Sequence, residues 1–210
     1  MTPALRPSAW RARRALGGTS WRDCAFLVVD FETTGLDPRR DRPVSVGWVP
    51  VRGGRVILGE AGYQRIRPHG DVPTTSMRVH RLLPEDLLDA PSPHEVGEVL
   101  AATLQGCLLA AHGAFLEIAM LRRCGVAWSR ADVVDTLGLA RSLDRLERRR
   151  VSPDASLAAT AARLGVPVHR PHHAFGDALT TAGLLLALAT ALERHGAATR
   201  AALVRLGKTR

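Results

Sequence analysis

The sequence predicts one α/β domain built around a mixed five-stranded sheet that is flanked by helices. An apolar run of strand length, residues 24–29, opens the folded part of the chain. Two further strand-length segments follow it on either side of a Gly-Gly pair, and beyond residue 68 helical spacing alternates with short apolar runs. Strands joined by a tight turn pair antiparallel, whereas strands separated by a helix pair parallel, so this order indicates a mixed sheet.

The first three strands are predicted from runs of apolar residues. Residues 24–29 are apolar throughout, as expected for a central strand that is covered on both faces. Residues 33–38 are predicted to form a turn because they contain Gly and an Asp-Pro pair. Residues 44–51 and 55–63 are strand-like, and the Gly-Gly pair between them is typical of a hairpin.

The second half of the chain predicts two more strands and several helices. Ser92 is followed directly by Pro and three positions later by Glu95, the pattern of a capped helix start, and that helix is expected to run to about residue 105. The remaining strands are predicted at residues 108–111 and 133–134. The remaining helices are predicted from residue 115 to a stop at Gly125 and at residues 136–146, 156–164 and 174–194.

The two ends are predicted to lie outside the domain, which spans residues 24–195. Residues 1–23 are rich in Gly and Arg without clear periodicity, which is typical of a basic, flexible tail. Residues 196–210 are interpreted as a basic tail or a helix end. The chain has 210 residues, of which 46% are hydrophobic, and this is enough to bury a substantial core in one domain.

The charge of the chain favours an anionic partner. Its formal net charge is +9, and Arg and Lys attract phosphate through long-range electrostatics and counterion release. Nearly all of this charge is Arg, with Lys208 as the only Lys, so a compositional bias of the whole proteome explains it equally well. The charge therefore indicates nucleic acid without deciding for it.

The cysteines and the apolar runs indicate the cellular compartment of the protein. Cys24, Cys107 and Cys124 are odd in number and far apart, which argues against a disulfide framework and favours a reducing compartment. No apolar run is judged to reach the roughly 20 residues that cross a bilayer, and no signal core follows the basic start. The sequence therefore predicts a cytoplasmic protein that does not bind a membrane.

Two acidic residues end the first strand. Asp30 and Glu32 are two positions apart, so the pleat of a strand directs both carboxylates to one side. Carboxylates placed so closely repel each other unless a cation or a proton intervenes, and oxygen ligands favour Mg²⁺ or Mn²⁺ over Zn²⁺. For this pair alone, a strand that runs out into solvent is the alternative.

Two further clusters combine His with a carboxylate. His172 precedes the last long helix, and Asp177 lies in its first turns, where the helix dipole favours a carboxylate. Glu117 lies at the start of another helix, five residues after His112. Taken singly, each acid is equally explained as a helix-start residue and each His as a surface residue.

Taken in order, the three clusters resemble the DEDDh 3′–5′ exonuclease family of the ribonuclease H-like superfamily, which includes the proofreading epsilon subunit of bacterial DNA polymerase III. The first family motif, Asp-x-Glu-Thr-Thr-Gly, is complete at residues 30–35, and the third, a His five residues before an Asp, is present at residues 172–177. In the middle motif, usually Ala-His-Asn-Ala-x-Phe-Asp, Gly113 replaces the Asn and Glu117 the Asp. The resemblance covers residues 25–188.

This resemblance implies a ribonuclease H-like three-layer fold and hydrolysis of terminal phosphodiester bonds by a two-metal mechanism. The implied ligands of two Mg²⁺ or Mn²⁺ ions are Asp30, Glu32, Glu117 and Asp177. The implied catalytic residues are His172, as the general base, and Glu32. His173 competes for the role of base, but the interval of five residues to Asp177 favours His172.

The same resemblance implies where substrate binds. The implied substrate-binding residues are Thr33, Thr34, Gly35, Leu36 and His80. For His80, a plain surface histidine is the alternative. Leu36 is expected to wedge beneath the terminal base, and backbone amides of the same loop to meet the 3′ hydroxyl and the phosphate. Asp135 lies in a segment that recurs in the family and is interpreted as a supporting residue or one close to substrate.

Three hypotheses about function follow. The favoured one is an exonuclease acting on the 3′ end of nucleic acid, with single-stranded DNA favoured over RNA and a DNA polymerase subunit as a further candidate partner. The second is a nucleic-acid-binding or polymerase-associated module of the same fold with weakened catalysis, because Gly113 and Glu117 depart from the family pattern. The third, a nonenzymatic basic scaffold, requires three ordered clusters to be coincidental.

Overall fold

Residues 18–208 are described by the computed structural model, except for the side chain of residue 130. The strands are β1 (Phe26–Thr33), β2 (Pro43–Arg52), β3 (Arg55–Val56), β4 (Gly62–Arg65), β5 (Leu108–Ala111) and β6 (Val133–Asp135). The helices are α1 (Thr74–His80), α2 (Pro84–Leu87), α3 (Pro93–Leu104), α4 (Phe115–Arg123), α5 (Thr136–Leu146), α6 (Leu157–Arg163), α7 (Ala174–Glu193) and α8 (Arg200–Leu206). Within this part of the chain the strands form one six-stranded sheet in the order β3-β2-β1-β5-β6, and β4 also pairs with β2.

β1 is the central strand, and its two faces lie in two separate cores. It pairs antiparallel with β2 and parallel with β5, and β5 pairs parallel with β6. Phe26 and Val28 pack with α5, α7 and α8 on one face, whereas Leu27, Val29 and Phe31 pack with α3 and α4 on the other. Helices therefore cover both faces of the sheet, which confirms the predicted three-layer α/β fold.

The third predicted strand is interrupted, so the sheet has six strands where the sequence predicted five. β3 and β4 both pair antiparallel with the outer edge of β2. Between them residues 57–61 leave the sheet, and a 3-10 turn at Leu58–Glu60 exposes Leu58 to solvent. The predicted strand at residues 55–63 is wrong at its centre because Gly and Glu, which strands disfavour, form a turn there.

The helix predictions agree well with the structure. The capping box at the start of α3 is formed, since the Glu95 carboxylate accepts the N–H of Ser92 at 2.7 Å and Ser92 Oγ accepts the N–H of Glu95. The short helices α1 and α2 were not predicted. Each lies directly after a Pro or begins with one and is too short to show a helical period.

The start of α7 lies directly against β2 because residue 47 is Gly. A Cβ at Gly47 would lie 2.4 Å from the backbone of Ala174 and Phe175, in the first turn of α7. Gly47 is also the residue opposite Asp30 in the ladder between β1 and β2. This close contact therefore places the beginning of α7 beside the end of β1.

α7 is long and apolar enough, by length and composition, to cross a membrane, with a mean hydropathy of 1.6. The expectation that no apolar run reaches this length therefore missed residues 174–193. In the structure the helix belongs to the core, because Leu184, Leu185, Leu188 and Leu192 are fully buried against the sheet. Its apolar character is thus explained by packing inside the domain.

Both ends of the described chain pack on the domain, which differs from the predicted tails. Trp21 is 2% exposed in the core beneath α7, and Ser20 forms an isolated bridge with Thr199. At the other end α8 buries Leu203 completely. Apolar side chains at 21 and 203 find partners far along the chain, which local composition does not reveal. The rest of the predicted tails, residues 1–17 and 209–210, lies outside the described residues.

Replacing Gly47 with Ala is expected to destabilise the protein by about 1–3 kcal/mol, because an added carbon against backbone forces strand and helix apart. Urea unfolding measures the change. Gly59→Ala is the matched control, since no atom of the described residues lies within 4 Å of a Cβ at Gly59, and its effect should stay within about 0.5 kcal/mol. Equal free energies of unfolding for the two variants would contradict the contact between β2 and α7.

Candidate active site

Asp30 and Glu32 lie where β1 extends beyond its neighbour β5. Within the described chain β5 pairs with β1 only as far as Val28. By the alternation of a strand, both acids face the same side as Val28, the side that α7 covers. α7 adds Asp177, and one carboxylate oxygen from each of the three acids lies within 4.8 Å of the others. The structure thus brings three of the predicted ligands together.

Glu117 approaches the same cluster from α4. It is 4% exposed, and among the described residues its Oε2 atom has no hydrogen-bond partner. After burial, its charge is the strongest influence on Asp30, so the two carboxylates lie close to each other. Glu117 is outside the group of oxygens that lie within 4.8 Å. It is therefore the outer member of a cluster of four carboxylates.

Burial raises the pKa of all four carboxylates, and repulsion by other acids adds to this rise for Asp30, Glu32 and Glu117. The pKa of Asp30 lies well above its usual range because of burial first and then the charges of the other three acids. Burial, followed by the charge of Asp177, raises the pKa of Glu32 to about 7. Burial raises the pKa of Glu117 to about 8 and also raises that of Asp177. The four groups therefore resist being ionised together.

These residues fit a site for divalent cations. The donors are carboxylate oxygens, which Mg²⁺ and Mn²⁺ prefer. The buried Oε2 of Glu117 needs a partner, and the raised pKa values show that the negative charges lack compensation. A bound cation would satisfy both needs.

The two histidines before α7 have different environments. The ring of His173 stacks on Tyr63 of β4 with a centroid separation of 4.6 Å, and burial lowers its pKa. His172 is exposed, and its left-handed backbone, with φ of 57°, lets its N–H donate to Oδ2 of Asp177 at 2.9 Å. Of the two imidazoles, that of His172 therefore lies open to solvent beside the carboxylates.

The loop after β1, which was predicted to bind substrate, is organised by Asp41. Thr34 Oγ1 donates to Oδ1 of Asp41 at 2.8 Å, and the N–H of Asp37 donates to Oδ2 at 2.8 Å. Gly35 lies against the same carboxylate, where a Cβ would come within 2.5 Å. Leu36 is 79% exposed at the tip of the loop. Sequence reasoning missed Asp41, since nothing in its local pattern shows that its carboxylate accepts a hydrogen bond from a hydroxyl of the loop.

The other two predicted substrate residues are buried. The hydroxyl of Thr33 donates to the carbonyl of Gly35 at 2.5 Å, so it serves the loop itself. His80 is 6% exposed at the end of α1, and its Nδ1 accepts the N–H of Leu82 at 3.0 Å. Nε2 of His80 has no partner in the described part of the chain, and burial lowers the pKa of the ring. The alternative of a surface histidine is therefore wrong.

Asp135 holds together the turn before α4 and the start of α5. Its carboxylate accepts the N–H groups of Gly113 at 3.0 Å, Ala114 at 3.1 Å and Leu137 at 2.9 Å. Gly113 has a positive φ of 78° in this turn. The sequence left Asp135 as either a supporting residue or one close to substrate. These bonds favour the supporting role, because they hold the backbone that positions Glu117.

His112 provides a second link that sequence reasoning did not identify. Its Nδ1 lies 2.9 Å from Oγ1 of Thr136, and its Nε2 lies 2.9 Å from the carbonyl oxygen of Ala155. Burial lowers the pKa of this ring. His112 therefore joins the end of β5 to the loop before α6 and is not one of the residues around the carboxylates.

Residues 27–185 match the model of the RNase T family, whose description is exonuclease. The chain belongs to the RNase T exonuclease family. The matched segment runs from β1 into α7 and includes the four carboxylates and His172. The candidate active site of this RNase T family member therefore lies entirely within the exonuclease domain.

Relatives of this family member include components of bacterial DNA polymerase III. The chain is 30% identical over 183 residues to the DNA polymerase III PolC-type of Thermotoga maritima. The matched segment covers 85% of this chain and 13% of that protein. The chain is 31% identical over 196 residues to a DNA polymerase III subunit epsilon-like protein of Rhodobacter capsulatus, with coverage of 90% and 27%. The chain thus spans only a small part of the length of these relatives.

Solved exonuclease structures share the fold of this RNase T family member. Exonuclease X in complex with 5′ overhanging duplex DNA has a TM-score of 0.67 and 21% identity, over 87% of this chain and 99% of that one. E. coli exonuclease I in complex with a dT13 oligonucleotide has a TM-score of 0.71 and 17% identity, over 82% of this chain and 42% of that one. At these identities the likeness establishes the fold.

Proposed function

We propose that this chain is a metal-dependent 3′–5′ exonuclease that releases nucleoside 5′-monophosphates from nucleic acid, with single-stranded DNA favoured over RNA. The observation that carries the proposal is the meeting of Asp30, Glu32 and Asp177 within 4.8 Å, with His172 beside them. The family supports hydrolysis of nucleic acid from an end. Relatives named as DNA polymerase III components support DNA as the substrate and its 3′ end as the point of attack.

The four carboxylates are proposed to hold two Mg²⁺ or Mn²⁺ ions. When bound, such ions activate water and neutralise charge on the scissile phosphate and the leaving 3′ oxygen. Asp30, Glu32 and Asp177 form the inner part of this set because their oxygens lie within 4.8 Å of one another. Glu117 supplies the outer carboxylate from α4.

His172 is proposed as the general base and Glu32 as its catalytic partner. The imidazole of His172 is exposed, so an attacking water can reach it, and the backbone bond to Asp177 keeps the residue beside the carboxylates. A neutral imidazole accepts the proton that this water loses. The ring of His173 is engaged with Tyr63, which supports His172 over its neighbour.

The loop after β1 is proposed to hold the terminal nucleotide. Its bonds to Asp41 keep the backbone at Thr34 and Gly35 in one conformation, and the exposed Leu36 is available to wedge beneath the base. His80 stays in the proposal because its buried Nε2 has no hydrogen-bond partner among residues 18–208, and a substrate atom could provide one.

The chain is also proposed to associate with a DNA polymerase subunit and to be located in the cytoplasm. The names of the PolC-type and epsilon-like relatives support association with a DNA polymerase. The complex of exonuclease I with a dT13 oligonucleotide supports a single strand as substrate. DNA-processing relatives of this kind are consistent with the cytoplasm.

A 3′-labelled single strand incubated with Mg²⁺ or Mn²⁺ tests the proposal. The wild type is expected to release labelled mononucleotide first, and a 5′-labelled strand is expected to shorten stepwise from its 3′ end. His172→Ala is expected to lower the rate by about 10²–10⁴-fold, which is the usual contribution of a general base.

The matched control for this experiment is His94→Ala, because His94 is exposed on α3, where it pairs with Glu98. Its rate is expected to equal that of the wild type. Parallel assays with single-stranded DNA, mismatched duplex DNA and RNA measure the preference for DNA. Equal rates for His172→Ala, His94→Ala and the wild type would reject the assignment of the base, and first release of a 5′ label would reject the direction.

A further inference from the structure

We propose that a groove between α5 and α8 binds the phosphate backbone of the nucleic-acid strand behind its 3′ end. This inference rests on the proposed exonuclease and names where its substrate lies beyond the active site. The groove has a volume of about 600 Å³, and four of its lining side chains are cationic. The groove with these cations, called the basic groove below, contains Arg141, Arg145, Arg205 and Lys208.

The charge of the basic groove is not neutralised within the described structure. None of its four cations forms an ion pair with a described residue. Arg145 donates instead to the neutral Oγ of Ser142 at 3.1 Å. The acids of α5, Asp144 and Glu147, pair with Arg149 outside the groove. Four cations without carboxylate partners along one groove attract a polyanion.

The walls of the basic groove are held rigidly. The lining residues of α5 are spaced as one helix face: Gly138, Arg141, Ser142 and Arg145. α8 crosses α5 closely, because a Cβ at Gly138 would lie 2.5 Å from the carbonyl oxygen of Gly207. Ser142 Oγ also donates to the carbonyl of Leu206 at 2.9 Å. The helix positions that carry the cations therefore keep their spacing without a ligand, so no backbone rearrangement is needed for binding.

The basic groove leads towards the turn that precedes the helix of Glu117. A second cavity of about 370 Å³ adjoins it, and Lys208 lines both. This cavity is also lined by Asp135, which holds the turn before α4, and by Phe115. Phe115 precedes Glu117 by two residues on α4 and is 56% exposed. A strand that leaves the cluster would pass an aromatic ring on which a base can stack and then reach cations that contact phosphates.

The length of the basic groove suits a short single-stranded segment. α5 begins at Thr136, next to Asp135, so Arg141 and Arg145 follow it by five and nine residues. At 1.5 Å per residue these positions lie about 8 and 14 Å along the helix axis. Phosphates of a stacked strand recur about every 3.4 Å. The α5 residues that line the basic groove, from Gly138 to Arg145, cover about 10 Å, so the groove spans about three nucleotides.

Fluorescence anisotropy of a 5′-labelled oligodeoxythymidine 12-mer in EDTA tests the basic groove without hydrolysis. The double variant Arg145→Gln/Arg205→Gln removes two exposed cations of the groove. Its affinity at about 0.1 M salt is expected to fall about 20-fold, and the slope of log K against log salt by about 1.4, which is roughly 0.7 for each lost phosphate contact.

The matched control is Arg55→Gln/Arg194→Gln. Arg55 lies on β3 at the opposite edge of the sheet, Arg194 follows the far end of α7, and both are exposed. This control is expected to bind like the wild type, and thermal unfolding checks that both double variants are folded. Unchanged affinity in the groove variant, or an equal loss in both variants, would overturn the basic groove.

A separate assay distinguishes failure of the basic groove from failure of the proposed exonuclease. Thymidine 5′-(p-nitrophenyl phosphate) contains one nucleotide and does not extend into the groove, so its hydrolysis by the wild type with Mn²⁺ tests the active site alone. If it is not hydrolysed while the groove variant selectively loses binding, the basic groove is retained and the exonuclease is rejected.

Discussion

Replacing Asp30 with Asn is expected to lower metal-dependent hydrolysis of a single strand by about 10³-fold or more. Burial and then the charges of the other three carboxylates raise the pKa of Asp30, so its ionisation is influenced by all the other acids of the cluster. Asn keeps the size of the side chain and removes its charge. Losing several kcal/mol of transition-state stabilisation corresponds to about three decades in rate. The initial rate of mononucleotide release measures the effect.

Thermal unfolding in Mn²⁺ gives an independent measurement for the same substitution. At a concentration 100 times Kd, bound metal stabilises the wild type by about 2.7 kcal/mol, which raises Tm by about 5–10 °C for a chain of this size. Asp30→Asn is expected to lose most of this increase. Asp71→Asn is the matched control because Asp71 is exposed in the loop before α1. A full increase in Asp30→Asn would contradict the metal site.

Replacing Glu117 with Gln is expected to remove most activity and, in the absence of metal, to stabilise the protein at alkaline pH. Activity falls because the outer carboxylate of the cluster is lost. Stability rises because Glu117 is buried and its Oε2 has no hydrogen-bond partner in the described part of the chain, so its ionised form is unfavourable. Nuclease rates in Mn²⁺ and urea unfolding in EDTA measure the two effects.

The pH dependence of the change in stability follows from the direction of the pKa shift of Glu117. Burial raises the pKa of Glu117 from 4.5 to about 8. Between these values the folded protein retains a proton that the unfolded chain releases, so the free energy of unfolding falls as pH rises through this window. Gln does not titrate. The metal-free variant is therefore expected to lose less stability than the wild type between about pH 5 and pH 9.

Glu117→Asp is the matched control, because it keeps the charge and restores the residue that the resembled family usually has. It is expected to retain activity in Mn²⁺ and the pH-dependent stability of the wild type. Near-normal turnover by Glu117→Gln would show that Glu117 is not the fourth ligand.

Most of the fold could be predicted because its elements carry local signals. Residues 26–29 of the predicted apolar run lie in the central strand, which continues to Thr33, and α5 begins and ends at the residues that its pattern indicates. The capping box of α3 is complete within four residues of sequence. The prediction was wrong at residues 57–61. A segment becomes a strand only where it pairs with a neighbouring strand, and these residues form a turn between the two segments that pair with β2.

Trp21 shows why the start of the domain was placed too late. Its surroundings in the sequence are Gly, Ser and Arg, so nothing nearby predicts burial. In the structure its ring lies in the core that includes α7 and α8, and the backbone N–H of Trp21 donates to the carbonyl of Ala198 at 3.0 Å. Contacts across more than 170 positions are set by how the helices pack, and a local pattern carries no record of them.

The sequence by itself determined the pairs of active-site candidates that are close along the chain. The strand pleat places Asp30 and Glu32 on one face, and five residues join His172 to Asp177 across a helix start. Only the tertiary structure decided that these pairs meet. Gly47 permits α7 to lie on β2, β5 ends before Asp30, and α4 turns Glu117 towards the cluster. Local geometry is fixed by covalent spacing, whereas the distance between elements depends on close packing of backbone that is remote in sequence.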